Sequence, residues 1–224
     1  MYYFLFDTET TGLGSKDEVI QFSGLLLRDP VAEDGQSSSS TNLVLMKFYN
    51  FYCNTTQVIS DGAYQVHGID KNALVQLSEG KTFEDNFYPF LTSLRKTIEA
   101  DKTFNGNDVC WVAYNVAFDK RLVNQTLVQN GLPAFNFGKN NALFSKTNGD
   151  SNVCLMNAIT SLLGKRRKLS EVIAYFDLES QINKSFKVFA DKCGIGDDIS
   201  YHNAAYDVFA SFVVMNHCIA KLRC

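Results

Sequence analysis

Two carboxylates, Asp7 and Glu9, sit one residue apart behind a short apolar run, Tyr2 to Phe6, in the stretch FDTETTGL. Side chains alternate across a strand, so a strand over Tyr2 to Thr8 projects both acids from the same face. Two like charges side by side in an apolar setting repel each other and lose hydration. A divalent cation relieves both problems, and carboxylate oxygens suit Mg2+ or Mn2+. A short acidic motif recurs by chance, so this pair has meaning only if the rest of the chain brings partners to it.

The remaining pattern predicts how that happens. Gly14-Ser15-Lys16-Asp17 is a turn, Glu18 to Arg28 a second strand and Leu43 to Cys53 a third. Between them, Asp29 to Asn42, with the serines Ser37 to Ser40, is expected to be an exposed hairpin loop. An irregular segment ends in Val66-His67-Gly68-Ile69, followed by a short helix around Lys71 to Leu77. A longer helix over Thr82 to Ala100 carries Phe83, Phe87, Phe90, Leu91, Leu94 and Ile98 at helical spacing. Gly106-Asn107 breaks the pattern. Val109 to Tyr114 is continuously apolar, as a strand buried on both faces requires. Asn115 to Asn130 follows as a helix stopped by Gly131 and Pro133, and Phe135 to Ser151 as a loop. Asn152 to Leu155 predicts a fifth strand leading into a helix through Leu163. Ser170 to Gly194 predicts two helices, and Asn203 to Leu222 a last one. Three strands followed by alternating helices and strands predict an α/β fold with a mixed five-stranded sheet flanked by helices. Its first three strands form an antiparallel meander.

The 224 residues fit a single domain spanning 1–224. With 46% hydrophobic and 20% charged residues the composition is that of a globular chain. A net charge of −3 argues against coating a nucleic-acid backbone, so any such contact has to use a local patch and metal ions. The six cysteines form no CxxC pair and only three histidines occur, which gives no zinc pattern. The cysteines read as mostly buried thiols of a reducing, cytoplasmic compartment. No secretion signal or membrane-length apolar run is visible.

Two later segments offer partners for the acidic pair. In Asn115-Val116-Ala117-Phe118-Asp119, residues Asn115, Phe118 and Asp119 share one side of a helix that starts at the C-terminal end of an apolar strand. The alternative is a surface Asp119 paired with Lys120 or Arg121. In His202-Asn203-Ala204-Ala205-Tyr206-Asp207, the histidine and the acid are five apart. They meet only if His202 lies in the preceding loop and Asp207 on the second turn of the helix.

Taken in order, D-x-E, N-x-x-F-D and H-x-A-x-x-D make the chain resemble the DnaQ-like 3′–5′ exonucleases of the DEDDh branch, in the ribonuclease-H-like superfamily. The segment YQVHGI resembles another family segment. The resemblance spans nearly the whole chain. It implies that Asp7, Glu9, Asp119 and Asp207 hold two Mg2+ ions, with Mn2+ able to substitute, and that His202 is the general base. It also implies that Thr10, Thr11, Leu13, His67, Asn115 and Phe118 contact the terminal nucleotide. The expected reaction is hydrolysis from the 3′ end of single-stranded DNA, in proofreading or end-trimming, releasing nucleoside 5′-monophosphates; a DNA polymerase is a possible partner. An exoribonuclease of the same family, or a non-catalytic module that binds nucleic acid or a polymerase, remain the alternatives. The basic run Lys165 to Lys168 reads either as a guide for the phosphate backbone or as a solvated loop. The stretch Lys168 to Lys184 is longer than the family usually has there, and the sequence assigns it no function.

Overall fold

The computed structural model describes residues 1–29, 42–101, 109–137, 152–196 and 201–223. The serine run Ser37–Ser40 and the Gly106-Asn107 break lie outside the described residues. Among those described, no helix is long and apolar enough to cross a membrane.

The sheet is mixed, five-stranded and ordered β3-β2-β1-β4-β5. β1 (Tyr2–Thr10), β2 (Val19–Arg28) and β3 (Val44–Tyr52) form the antiparallel meander. β4 (Val109–Ala113) joins β1 in parallel on its other side, and β5 (Asn152–Cys154) continues in parallel. Helices cover both faces: α1 (Asp61–His67), α2 (Lys71–Ser78), α3 (Phe83–Ala100), α4 (Val116–Gln129), α5 (Leu155–Leu163), α6 (Leu169–Tyr175), α7 (Glu179–Cys193) and α8 (Ala204–Arg223). The helix α1 replaces the irregular segment expected from the sequence. It buries none of its residues, so it shows no apolar periodicity; its only sequence signals are the Ser60 cap and the left-handed Gly68 that ends it.

The alternation of β1 divides the core in two. Tyr2, Phe4 and Phe6 pack with α3, α4 and Trp111, whereas Leu5 packs on the other face with α7 and α8. On the first face the Phe4 ring lies about equally close to Phe90 and Trp111, with centroids 5.1 Å away in each case. It reaches them by lying across Gly24 of β2, where a Cβ would come within 2.3 Å of the ring. Backbone and ring are both fixed there, so Gly24→Ala is an overpacking substitution expected to cost about 1–3 kcal/mol. Thermal unfolding checks this: the midpoint is expected to fall by roughly 3–10 °C.

The pairing of β1 with β4 positions the site. It runs from Tyr2 opposite Val109 to Leu5 opposite Val112, and β4 ends at Ala113. β1 continues to Thr10, paired only with β2. Asp7 and Glu9 thus project past the C-terminal end of the parallel strand, where open α/β sheets form crevices.

Candidate active site

Asp7 and Glu9 share the face of β1 that α8 covers. Asp207 lies in the first turn of α8, and one carboxylate oxygen from each of the three acids falls within 4.8 Å of the other two. The sequence placed Asp207 one turn later; the helix begins at Ala204, after Asn203, whose carbonyl accepts the Asp207 amide at 2.9 Å. His202 solves the five-residue spacing with its backbone. It takes the left-handed conformation at φ 65°, uncommon for a residue with a side chain, and its amide donates to the Asp207 carboxylate at 3.1 Å. The imidazole is left exposed at the rim of the cleft.

Asp119 approaches from the opposite face of the sheet. Only two residues separate β4 from α4, and Asp119 in the first turn of that helix is 2% exposed. Thr8, which points the other way from Asp7 and Glu9, donates its hydroxyl to Asp119 at 2.9 Å. The surface ion pair considered for Asp119 does not form among the described residues: Arg121 instead lies over the Phe118 ring at 5.5 Å and bonds Gln125.

Burial is the first cause of the electrostatic state of all four acids. It pushes Asp7 well above the usual carboxylate range, with Asp119, Asp207 and Glu9 adding repulsion. Burial does the same for Glu9, with Asp207 and Asp119 adding to it. Asp119 is raised to about 7 by burial, against the Thr8 hydrogen bond that holds it down. Asp207 is raised to about 7 by burial, against the His202 amide. Oxygen donors of one sign, packed this closely and poorly solvated, are the donor set a hard divalent cation takes. The residues fit that group.

Two cavities flank the acids. The first, of about 380 Å³, is lined by Asp7, Thr8, Asn115, Asp119, His202 and Asp207, together with Tyr114, Lys168, Ser170 and Tyr201. Asn115 makes no side-chain cap bond to α4 and faces this space. The second, of about 570 Å³, shares Thr8 and Phe118 with the first and adds Glu9, Thr10, Leu13, Val66 and His67. Leu13 stands 76% exposed at its edge. Thr11 reaches neither cavity. It is fully buried and bonds Asp17 and the Glu18 amide, so its side chain shapes the loop that carries Leu13. His67 lines the second cavity with both nitrogens engaged: Nε2 bonds the Thr10 carbonyl at 3.1 Å and Nδ1 accepts from the Ile69 amide at 3.0 Å. Burial lowers its pKa, which the Thr10 contact opposes.

Several residues at the site went unnoticed in the sequence. Gln21, opposite Glu9 on β2, is fully buried; its amide nitrogen bonds Asn50, Tyr52 and Asn203, and its oxygen accepts from the Ala204 amide at the start of α8. A lone amide in an otherwise apolar strand was the available signal. Thr8 was hidden between the two acids. Lys168 was noted only as part of a basic run, and Tyr201 sits beside His202.

Solved structures share this fold. The chain matches the nuclease domain of 3′hExo, a DEDDh family member, bound to rAMP, with a TM-score of 0.60 at 12% identity over 98% of this chain and 92% of that one. The fold is that of a DEDDh nuclease domain. A full-length 3′-exonuclease gives a TM-score of 0.62 at 13% identity over 98% of this chain and 60% of that one. E. coli Exonuclease I in complex with a dA16 oligonucleotide gives 0.58 at 15% identity, with 99% of this chain covered but 41% of that one. The chain thus spans less than two thirds of several of the proteins whose fold it shares. No protein-family model matches the sequence, and no curated protein matches it.

Proposed function

We propose that the chain is a metal-dependent 3′–5′ exonuclease that hydrolyses single-stranded nucleic acid from its 3′ end and releases nucleoside 5′-monophosphates. The observation that carries this reading is the convergence of Asp7, Glu9 and Asp207 within 4.8 Å, with Asp119 brought to the same cavity across the sheet, in the fold of DEDDh nucleases.

Asp7, Glu9 and Asp207 hold divalent cations, with Asp119 completing the set. When bound, such cations neutralise the scissile phosphate and acidify an attacking water. His202, exposed at the cleft, accepts that water's proton on a ring nitrogen; its backbone amide bond to Asp207 keeps its main chain beside the acids. Thr8 holds Asp119 in one orientation. The terminal nucleoside lies in the second cavity, with Leu13 at its edge, Phe118 between it and the first cavity, and the edge of His67 beneath it. Thr10 contributes its cavity-lining surface and Asn115 a free amide. Thr11 acts through the loop.

The structures sharing the fold include one described as bound to an oligodeoxynucleotide and one described as recognising a histone mRNA stem-loop. Digestion of 5′-labelled single-stranded DNA, duplex DNA and RNA with Mg2+ tests the reading. Stepwise shortening of a single-stranded substrate, with mononucleotide product, is expected. Absence of cleavage on all three leaves a binding module as the function.

A further inference from the structure

We propose that Lys168 binds the phosphate immediately 5′ to the scissile one, as the fixed cation of the upstream strand path. This rests on the exonuclease reading above.

The four basic residues at 165–168 separate sharply in the fold. Arg166 donates to the Met156 sulfur at 3.1 Å. The Arg167 guanidinium lies 4.8 Å from the Tyr175 ring centroid. Lys168 alone among the four lines the cavity that contains Asp7, Asp119 and Asp207, and among the described residues it is the only lysine or arginine lining it. Its backbone is held on both sides. The Tyr114 hydroxyl, at the end of β4, donates to the Arg167 carbonyl at 2.7 Å, and the Lys168 amide donates to Glu171 at 2.8 Å. A long flexible side chain is thereby anchored at the mouth of the cleft.

The chemistry follows from charge. A polynucleotide carries one negative charge per nucleotide. The second cavity takes the terminal nucleoside, so the upstream strand leaves through the first, which meets it at Thr8 and Phe118. Cations held by the acids would take up the charge of those acids and of the scissile phosphate. The next phosphate enters the same cavity with its own charge unmet, and Lys168 supplies the opposite charge there. Lysine suits this role as a point charge that requires no base identity.

The test is fluorescence-anisotropy binding in Ca2+, using a 5′-fluorescein ten-nucleotide oligothymidylate or oligouridylate, whichever the wild type binds more tightly. A second probe carries one neutral methylphosphonate at the second linkage from the 3′ end. Lys168→Ala is expected to weaken binding of the native probe about tenfold and to reduce the salt slope by about 0.7–1. Lys168→Arg is expected to restore most of the binding. The methylphosphonate is expected to weaken the wild type about tenfold and Lys168→Ala less than twofold. Multiplicative losses in the combined experiment, or wild-type binding by Lys168→Ala, overturn the proposal. An unchanged melting midpoint of Lys168→Ala assigns its loss to the contact; a fall of more than a few degrees makes the residue structural and also overturns it. Coupled binding without cleavage by the wild type removes the exonuclease reading and keeps this contact. Cleavage without coupling does the reverse.

Discussion

Asp7→Asn is expected to eliminate cleavage and, in the absence of metal, to make the protein more stable. Both effects come from the same electrostatics. Asp7 is the acid that the other three all influence, being pushed up by burial and then by Asp119, Asp207 and Glu9. Removing its charge removes the centre of the cation site, and the lost charge stabilisation of the reaction corresponds to a rate loss of at least about a thousandfold. The amide has nearly the same shape and no charge, so it relieves the repulsion among the remaining acids. At pH 8 in EDTA the variant is expected to melt roughly 5 °C or more above the wild type. Excess Mn2+ is expected to reverse the order, because only the wild type gains from binding it. A variant that is inactive and less stable under both conditions makes Asp7 a structural residue and sinks the cation assignment.

The second large effect is an inverted dependence of stability on pH. Asp119 and Asp207 keep their protons up to about 7 in the folded protein, against an ordinary value of 3.8. Between those values the folded state binds more protons than the unfolded chain, so stability falls as pH rises. The contribution is complete below the unfolded value and is lost as pH climbs through about 7. Metal-free protein is therefore expected to melt several degrees higher at pH 5.5 than at pH 8. A bound divalent cation requires the deprotonated acids, so added Mn2+ is expected to raise the midpoint strongly at pH 8 and little at pH 5.5. Calorimetry across pH 5–8, with and without Mn2+, measures both arms. A metal-free midpoint that rises from pH 5.5 to pH 8 contradicts the clustering of these carboxyls.

The sheet was legible because its strands are the most apolar parts of the chain. The meander of the first three strands was legible from their succession and the later strands from helical crossovers, whereas the place of β4 and β5 beside β1 was not. The acid pair was legible because period-two alternation needs no tertiary information. The helices α3 and α4 were legible from their buried stripes. What escaped was whatever lacks a pattern. α1 buries nothing, and Gln21 works through amide contacts to residues on β3 and at the start of α8 that the sequence keeps far apart. The engagement of both His67 nitrogens by the backbone is likewise visible only once Thr10 and Ile69 are placed around the ring. Lys168 could be told apart from its three neighbours only after each had found its own direction.

The Thr8 contact to Asp119 spans 111 positions of chain, and Asp207 lies farther still along the sequence. During translation, β1 emerges long before its parallel neighbour β4, and α8 emerges later still. A nascent chain therefore gains Asp119 beside its first two acids with α4, and lacks Asp207 until α8 docks. The cluster of acids is therefore completed only by the docking of α8. The same separation of partners makes closing the sheet a slow, entropy-limited event.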